Sequence, residues 1–467
     1  MKRGIIILLP ALAAAMMYTG LHAREAKQKV TYTEYMKAVT DKLPDLKKNR
    51  LQVSKAENTL RGAGSSSDVN LTSGGKYSSS DEYSSSQYGT TRRVSGYSLN
   101  AGISKKFTGT GTTIEAGVAH DTMTTEGYGT GHYPSVYLQF SQSVLKNSFG
   151  VVDRYAVNSA SMQLEIEKLK QVQSDKSALN YYKKLYFTWI ETSSRLELMN
   201  ESVKYVTAIE ADTAKKYRSG LAPEEDMFSA KAAVSQYEIS YEELLSALAE
   251  IEAELNIFLD AGMVPDNSEL DAMYKEVQAA GYSDIPFAET RNAGIYRLAK
   301  SRLEYSKGVG ENRLLPQLDI TGKYTRKSMD DELAGSWSGL DDSDYYIGFT
   351  ASYPLWNTGE SSTLKETELA IEEINEEYSI SENAYKTDVE KLKNGREAVA
   401  RMIDLSEGRI RLLQAKYDAV YRKYRQGNYQ LQQVIDTLQD ITEEKTKLIK
   451  YKNTLIQYHI DYTDLTS

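Results

Sequence analysis

The chain has no cysteine, so it has no disulfide framework, no thiolate metal site and no thiol to carry a lipid anchor. Histidine is scarce, and His22, His120, His132 and His459 are not spaced as metal ligands. Beyond the N-terminus there is no run of 18 apolar residues, which excludes a membrane-spanning helix from the mature protein. An excess of positive charge is also missing: the formal charge of -9 argues against nucleic acid as a partner. Nor is there a catalytic constellation. Ser143-Val144-Leu145-Lys146 has the form of a serine-lysine motif but no companion motifs, and Gly109-Thr110-Gly111 is too short for a dinucleotide loop and opens a strand. With no nucleophile and base to pair, the chain reads as a non-enzyme without cofactors.

The one long apolar stretch, Ile5 to Met17, follows Lys2-Arg3 and precedes the small-residue exit Leu21-His22-Ala23. That order predicts a secretory signal peptide over residues 1–23. Loss of Lys2 and Arg3 takes the mature charge from -9 to -11, a balance that in a channel interior tolerates cations better than anions.

What is abundant is helical patterning around a duplicated turn. Lys216-Tyr217-Arg218-Ser219-Gly220 returns 207 residues later as Lys423-Tyr424-Arg425-Gln426-Gly427. On either side, apolar residues step by three and four, so each glycine marks the tip of an antiparallel helical hairpin. After Gly220 the seam is Met227, Ala230, Val234, Tyr237, Tyr241, Leu244, Leu248, Ile251, Leu255 and Phe258, with a stop at Asp260-Ala261-Gly262. After Gly427 it is Leu431, Val434, Leu438, Ile441, Leu448 and Leu455. The outgoing helices, about 151–219 and 360–426, contain no proline; the first would reach about 100 Å as one helix.

Two segments change to period two. In 68–145, Val69, Leu71 and Tyr77, then Tyr97 to Ile103, Ile114 to Val118 and Val136-Leu138-Phe140 alternate with polar residues. In 317–354, Leu318-Ile320-Tyr324 and Tyr345-Ile347-Phe349 do the same. Serine-rich Ser78 to Ser86 and acidic Ser328 to Ser343 read as exposed loops. The expected organisation is a first repeat over 24–262, a connector over 263–285 with a short helix near Leu270 to Ala279, and a second repeat over 286–467. Each repeat runs helix, strands, long helix, tip, return helix.

Hairpins with one apolar and one polar face need lipid outside, since a closed barrel satisfies every backbone group without an edge. Val136, Leu138, Phe140, Ile347 and Phe349 are then lipid-facing. Tyr133, Tyr137, Tyr345, Tyr353 and Trp356 lie near strand ends, where amphipathic rings favour a membrane interface. One chain supplies too few strands to close a barrel, so several copies must contribute.

These residues carry a resemblance over Arg24 to Ser467. The duplicated architecture, Leu315-Pro316-Gln317-Leu318 entering a strand, the exits Phe140 to Leu145 and Phe349 to Leu355, and Gly220-Leu221-Ala222-Pro223-Glu224-Glu225-Asp226 at a tip resemble the TolC-type outer-membrane channels. The resemblance implies an α+β membrane protein: a trimer with an outer-membrane β-barrel and long coiled-coil hairpins forming an α-barrel across the periplasm. It implies an exit duct for a tripartite efflux pump or type I secretion system, opened at its tips by a periplasmic adaptor with an inner-membrane pump or ABC transporter behind. Gly220, Leu221, Gly427 and Asn428 would be the tip turns meeting the adaptor. Asp226 and Tyr424 would form a closing contact, and Gln433 and Asp436 would stand at the aperture, where the family has two acidic residues. The additional hairpin, Tyr97 to Ala119, either lies outside the membrane or raises a twelve-stranded barrel to eighteen. A surface coiled-coil protein or adhesin is the competing reading; it explains the heptads but not the matched hairpins.

Overall fold

A computed structural model describes residues 28–83, 91–260 and 262–467. The expected signal peptide lies outside these residues. The described chain begins with strand β1 (Lys29–Val30) and helices α1 (Tyr32–Lys42) and α2 (Pro44–Ala63), broken at Pro44 as expected from proline's missing donor. Four strands follow: β2 (Val69–Tyr83), β3 (Thr91–Phe107), β4 (Thr112–Thr125) and β5 (Gly129–Ser143). Helix α3 (Val151–Arg218) runs out to the first tip and α4 (Glu224–Leu255) returns. The connector holds β6 (Val264–Pro265) and α5 (Ser268–Ala279), and α6 (Arg291–Arg313) opens the second half. Strand β7 (Gln317–Lys327), the one-turn α7 (Leu333–Ser336) and β8 (Asp342–Ser352) lead to α8 (Thr358–Arg425) and α9 (Leu431–Leu465).

Three expectations are corrected. The serine-rich stretch is strand as far as Tyr83, because β3 supplies a partner for every residue from Val69 onward; the rest of that expected loop falls within 84–90, outside the described residues. Helix α4 stops at Leu255, before the expected Asp260-Ala261-Gly262, although Phe258 beyond it is still buried. The acidic loop is interrupted by α7 and gives way to strand at Asp342.

The chain divides into two compact units, one of residues 28–49, Gln173–Thr290 and Asn383–Ser467, the other of Arg50–Val172 and Arg291–Glu382. In the first, Tyr35, Val39, Tyr186, Phe187, Trp189, Ile190, Leu255, Ile403, Leu455 and Ile456 form one buried cluster. Heptad spacing puts these side chains on facing helical stripes, where knobs fit into holes. Tyr35 stacks on Tyr186 with ring centroids 5.0 Å apart. The Tyr186 hydroxyl has two acceptors for its one proton, the Glu269 carboxylate and the Val30 carbonyl, the latter at 3.0 Å. Burial, then the Glu269 carboxylate, pushes that phenol's pKa well up. Strand β1 pairs in parallel with β6, tying the N-terminal segment to the connector.

The second unit is built on a six-stranded antiparallel sheet in the order β2-β3-β4-β5-β7-β8. The turn Thr108 to Gly111 joins β3 to β4, with Gly111 at φ 73°, a conformation that suits glycine. At the end of β5 the chain turns through left-handed Asn147 and Phe149. The Asn147 side-chain oxygen then accepts from the backbone amides of Val152 and Asp153, capping α3. Helices α3 and α6 meet beside the sheet through Tyr155, whose hydroxyl bonds to Ser306 at 3.2 Å.

Candidate functional site

Two features stand out in what they can do: the paired helical tips in the first unit and the apolar sheet face in the second. The tips share a backbone design. Gly220 and Gly427 have φ of 67° and 79°. The Leu221 amide donates to the Lys216 carbonyl at 2.8 Å, and the Asn428 amide to the Lys423 carbonyl at 3.0 Å. These bonds close the last turns of α3 and α8 around a left-handed residue, so orphan carbonyls at both helix ends are satisfied. Gly220, Gly427 and Asn428 are exposed, and Leu221 is 78% exposed, an aliphatic side chain held at the point of a turn.

Just behind the turns the four helices α3, α4, α8 and α9 share a core of Val206, Ile209, Ala230, Tyr237, Val420, Tyr424, Leu431, Val434, Ile435 and Leu438. Tyr424 ties the two hairpins together. Its hydroxyl bonds to Thr213 Oγ1 at 2.8 Å. Lys216 Nζ lies 3.5 Å above its ring and donates to its backbone carbonyl at 3.0 Å. Lys216 also pairs with Asp212 at 3.8 Å. One lysine thus joins a cation–π contact, a hydrogen bond to a helix C-terminal carbonyl and an ion pair.

Asp226 is half-buried in the first turn of α4. Its pKa is raised by burial first and by Glu225 second, and Lys216 partly offsets both. Tyr424 has its phenol pKa raised chiefly by burial, opposed by the Thr213 hydrogen bond, with Asp212 and Asp226 adding to the rise. Asp226 and Tyr424 therefore lie in electrostatic range, while the phenolic hydroxyl is bonded to Thr213. Gln433 and Asp436 are both exposed on α9, and Gln432 Nε2 donates to Asp436 Oδ1 at 2.7 Å. Sequence reasoning missed Thr213 and Lys216. Lys216 stands in the repeated tip segment, but Thr213 lies three residues before it and its counterpart in the second copy is Val420, so only folding shows that the two meet a tyrosine from the other hairpin.

The sheet is the second feature. Cross-strand register places Leu71, Ile103, Ala116, Leu138, Tyr324 and Tyr345 in one row on one face. An adjacent row on that face holds Ile114, Phe140 and Ile347. The expected lipid-facing residues Val136, Leu138, Phe140, Ile347 and Phe349 are all exposed, the last two at 74% and 76%. The opposite face carries Lys76, Asn100, Glu115, Tyr137, Lys323 and Asp344. There Tyr137 donates to Glu115 at 2.7 Å, and Lys323 lies over the Tyr137 ring at 4.1 Å. Strands β2 and β8 bound the sheet, each paired on one side only.

The formal serine-lysine motif and the scattered histidines take structural roles. Ser143 donates to Asp319 at 2.7 Å, and Lys146 faces Glu360 at 3.9 Å. His120 and His132, far apart in the spacing argument, meet across β4 and β5 with ring nitrogens 3.3 Å apart, beneath the indole of Trp337, which stacks on His120. Among the described residues no third metal-binding side chain joins them.

Comparison with known proteins follows the same lines. Residues 297–463 match the outer membrane efflux protein family. The fold is similar to CusC, solved in a study of transmembrane channel formation, with TM-score 0.68 and 13% identity over 93% of this chain and 91% of that one. It is similar to the outer membrane protein VceC of Vibrio cholerae at TM-score 0.66 and 12% identity, covering 93% of this chain and 96% of VceC. It is also similar to the CmeC outer membrane channel of Campylobacter jejuni at TM-score 0.65 and 14% identity, covering 93% and 85%. No curated protein sequence matches the chain.

Proposed function

We propose that this chain, which matches the outer membrane efflux protein family over residues 297–463 and shares its fold with solved outer-membrane channels over 93% of its length, is the exit duct of an efflux or secretion assembly. The observation that carries the reading is the sheet: a contiguous apolar face left exposed, a polar opposite face, and two free edges. Water is a poor solvent for the first face and copies of the chain are the natural partners for the edges. Strands alternate in direction, and six is even, so β8 of one copy meets β2 of the next in antiparallel sense. Cyclic association of three copies closes a barrel with its apolar face toward outer-membrane lipid and its polar face toward a lumen.

The tips are the periplasmic end of the duct. Left-handed glycines flanked by well-packed seams make hairpins that can shift as units, and the Tyr424 contacts are the bonds that such a shift breaks. A periplasmic adaptor meets the exposed turns at Gly220, Leu221, Gly427 and Asn428, with an inner-membrane pump or ABC transporter behind it. Asp226 with Tyr424 acts in the latch, and Gln433 and Asp436 line the aperture. The duct conducts passively; the energy comes from the pump.

Extraction and conductance test this. The protein should leave the outer-membrane fraction only with detergent, migrate as a trimer that sodium dodecyl sulfate dissociates, and give discrete conductance steps in planar bilayers. A chain released by salt washing, and silent in bilayers, would instead be a surface coiled-coil protein.

A further inference from the structure

The first half of the chain brings four strands to the sheet and the second half two. The surplus hairpin, centred on β3 and β4, could be a flap above the membrane or part of the wall. We infer that it is wall: each chain lays six lipid-contacting strands in the outer membrane, and three copies close an eighteen-stranded barrel. The inference rests on the trimeric channel reading and adds to it the bore of the exit.

Hydrogen bonding is the first argument. Strands β3 and β4 are interior members of the sheet, and β4 pairs with β5 over its entire length, from Thr112↔Gln142 to Thr125↔Gly129. A flap above the membrane would leave the ladder before the apolar band; here Ile114, Ala116 and Val118 sit opposite Phe140, Leu138 and Val136. Exposure is the second. Leu99 and Ile103 on β3 are 52% and 53% exposed, matching 54% for Leu138 on β5. All three occur on the same face, so whatever solvent suits Leu138 must suit them.

The slant of the band is the third and most specific. Ala101, the middle of the apolar run on β3, is in register through Val118, Val136 and Arg326 with Ser343 on β8. The middle of the apolar run on β8 is Ile347, four residues nearer the helical end of that strand. The band therefore drifts by four residues over four strand-to-strand steps. Four residues are about 13 Å along a strand and four steps about 19 Å across, a slope of about 35°. Strands of closed barrels tilt by roughly 35–45° from the axis, so a belt level with the membrane crosses the hydrogen-bonded rows at that slope. The drift begins at β3, and the surplus strands obey the tilt of the rest. Strand β2 contributes least, with Val69, Leu71 and Tyr77 spaced by Ser73 and Gly75. At the strand ends remote from the helices, Trp337 over His120 beside Tyr97 supplies the amphipathic rings expected at an interface.

Barrel diameter grows roughly linearly with strand number, so eighteen strands give a wall about 1.5 times as wide as twelve, with about twice the cross-section. The wider wall would set a higher ceiling on cargo size at the exit than twelve strands would.

Because the chain has no cysteine, single substitutions give clean labelling sites. Ile103→Cys on β3, Leu138→Cys on β5, Ile347→Cys on β8 and Asn100→Cys on the opposite face of β3 would each carry a nitroxide, in trimers reconstituted into phosphatidylcholine vesicles. Collision with oxygen should dominate over collision with a water-soluble nickel chelate at the first three, within about twofold of one another, and the ratio should invert at Asn100. A chelate-dominated Ile103 beside oxygen-dominated Leu138 and Ile347 would overturn the inference and leave the channel standing. Chelate dominance at all three would sink both. All four side chains are exposed, so the labelled variants should fold.

Discussion

The two units treat the same kinds of residue in opposite ways. In the helical unit, Leu431, Val434 and Leu455 are buried to within 1% of completely by other helices of the same chain. In the sheet unit, Leu71, Ile347 and Phe349 are about three-quarters exposed, and none of the described elements covers them. The first unit completes its core with its own residues. The second leaves an apolar face uncovered among its described residues, and under the proposed reading lipid covers that face. Apolar pattern alone does not say which solvent an apolar face will meet; topology does, by showing whether the chain has anything left to put there.

Substitutions can break this contrast. The largest effect is expected at Leu431→Ala in the shared tip core, about 2–5 kcal/mol from lost transfer energy and the cavity left behind. It should show as a lower urea midpoint of the helical signal with the barrel trimer intact. Next comes Phe349→Arg, which should cost about 2–4 kcal/mol if the side chain stands at mid-bilayer, and almost nothing if it faces water. Recovery in the outer-membrane fraction and urea titration in vesicles separate the cases, and an unchanged variant would count against the lipid-facing assignment.

Smaller effects concern the tips. Tyr424→Phe removes the hydroxyl bonded to Thr213, whereas Thr213 keeps its bond to the Ile209 carbonyl at 2.8 Å, so the loss should be about 0.5–1.5 kcal/mol. That converts to an opening equilibrium raised by roughly 2–12-fold, readable as bilayer open probability. Lys216→Met should act in the same direction while keeping the chain length. The Asp226→Ala, Tyr424→Phe double variant should conduct above the wild-type closed level; conductance at that level would remove Asp226 and Tyr424 from the latch.

The smallest expected effect is on pH. Asp226 has its pKa raised in the packed tip, so it holds its proton to higher pH there than in an opened tip, where water replaces the neighbouring helices. The packed tip gains relative stability as pH falls, and the gain is lost as pH rises through the raised value. Open probability should therefore decline modestly on acidification just above the ordinary carboxylate range, and Asp226→Asn should flatten the profile.

Much of this architecture could be read from patterns of short range. The tips announced themselves because a left-handed glycine between two heptad runs has few other uses, and both long helices appeared within a residue or two of their expected ends. The strands were harder. Their cores were visible as alternation, but β2 runs to Tyr83 through serines that carry no apolar signal, because pairing with β3 holds backbone whatever the side chain. The Lys216 and Thr213 contacts with Tyr424, and the stacking of Trp337 on His120, join residues distant in sequence and had no local signature.

The sequence by itself determined the periods: three-and-four steps that can only bury one stripe of a helix, two-residue alternation that can only bury one face of a sheet, and the glycines where the chain reverses. Tertiary structure alone decided that six strands share one sheet, that both their edges are free, and that the apolar band crosses them at a slant. The physical reason is range. Side-chain period is set by neighbours a few bonds away, whereas register and strand count depend on hydrogen bonds between segments that the chain must first bring together.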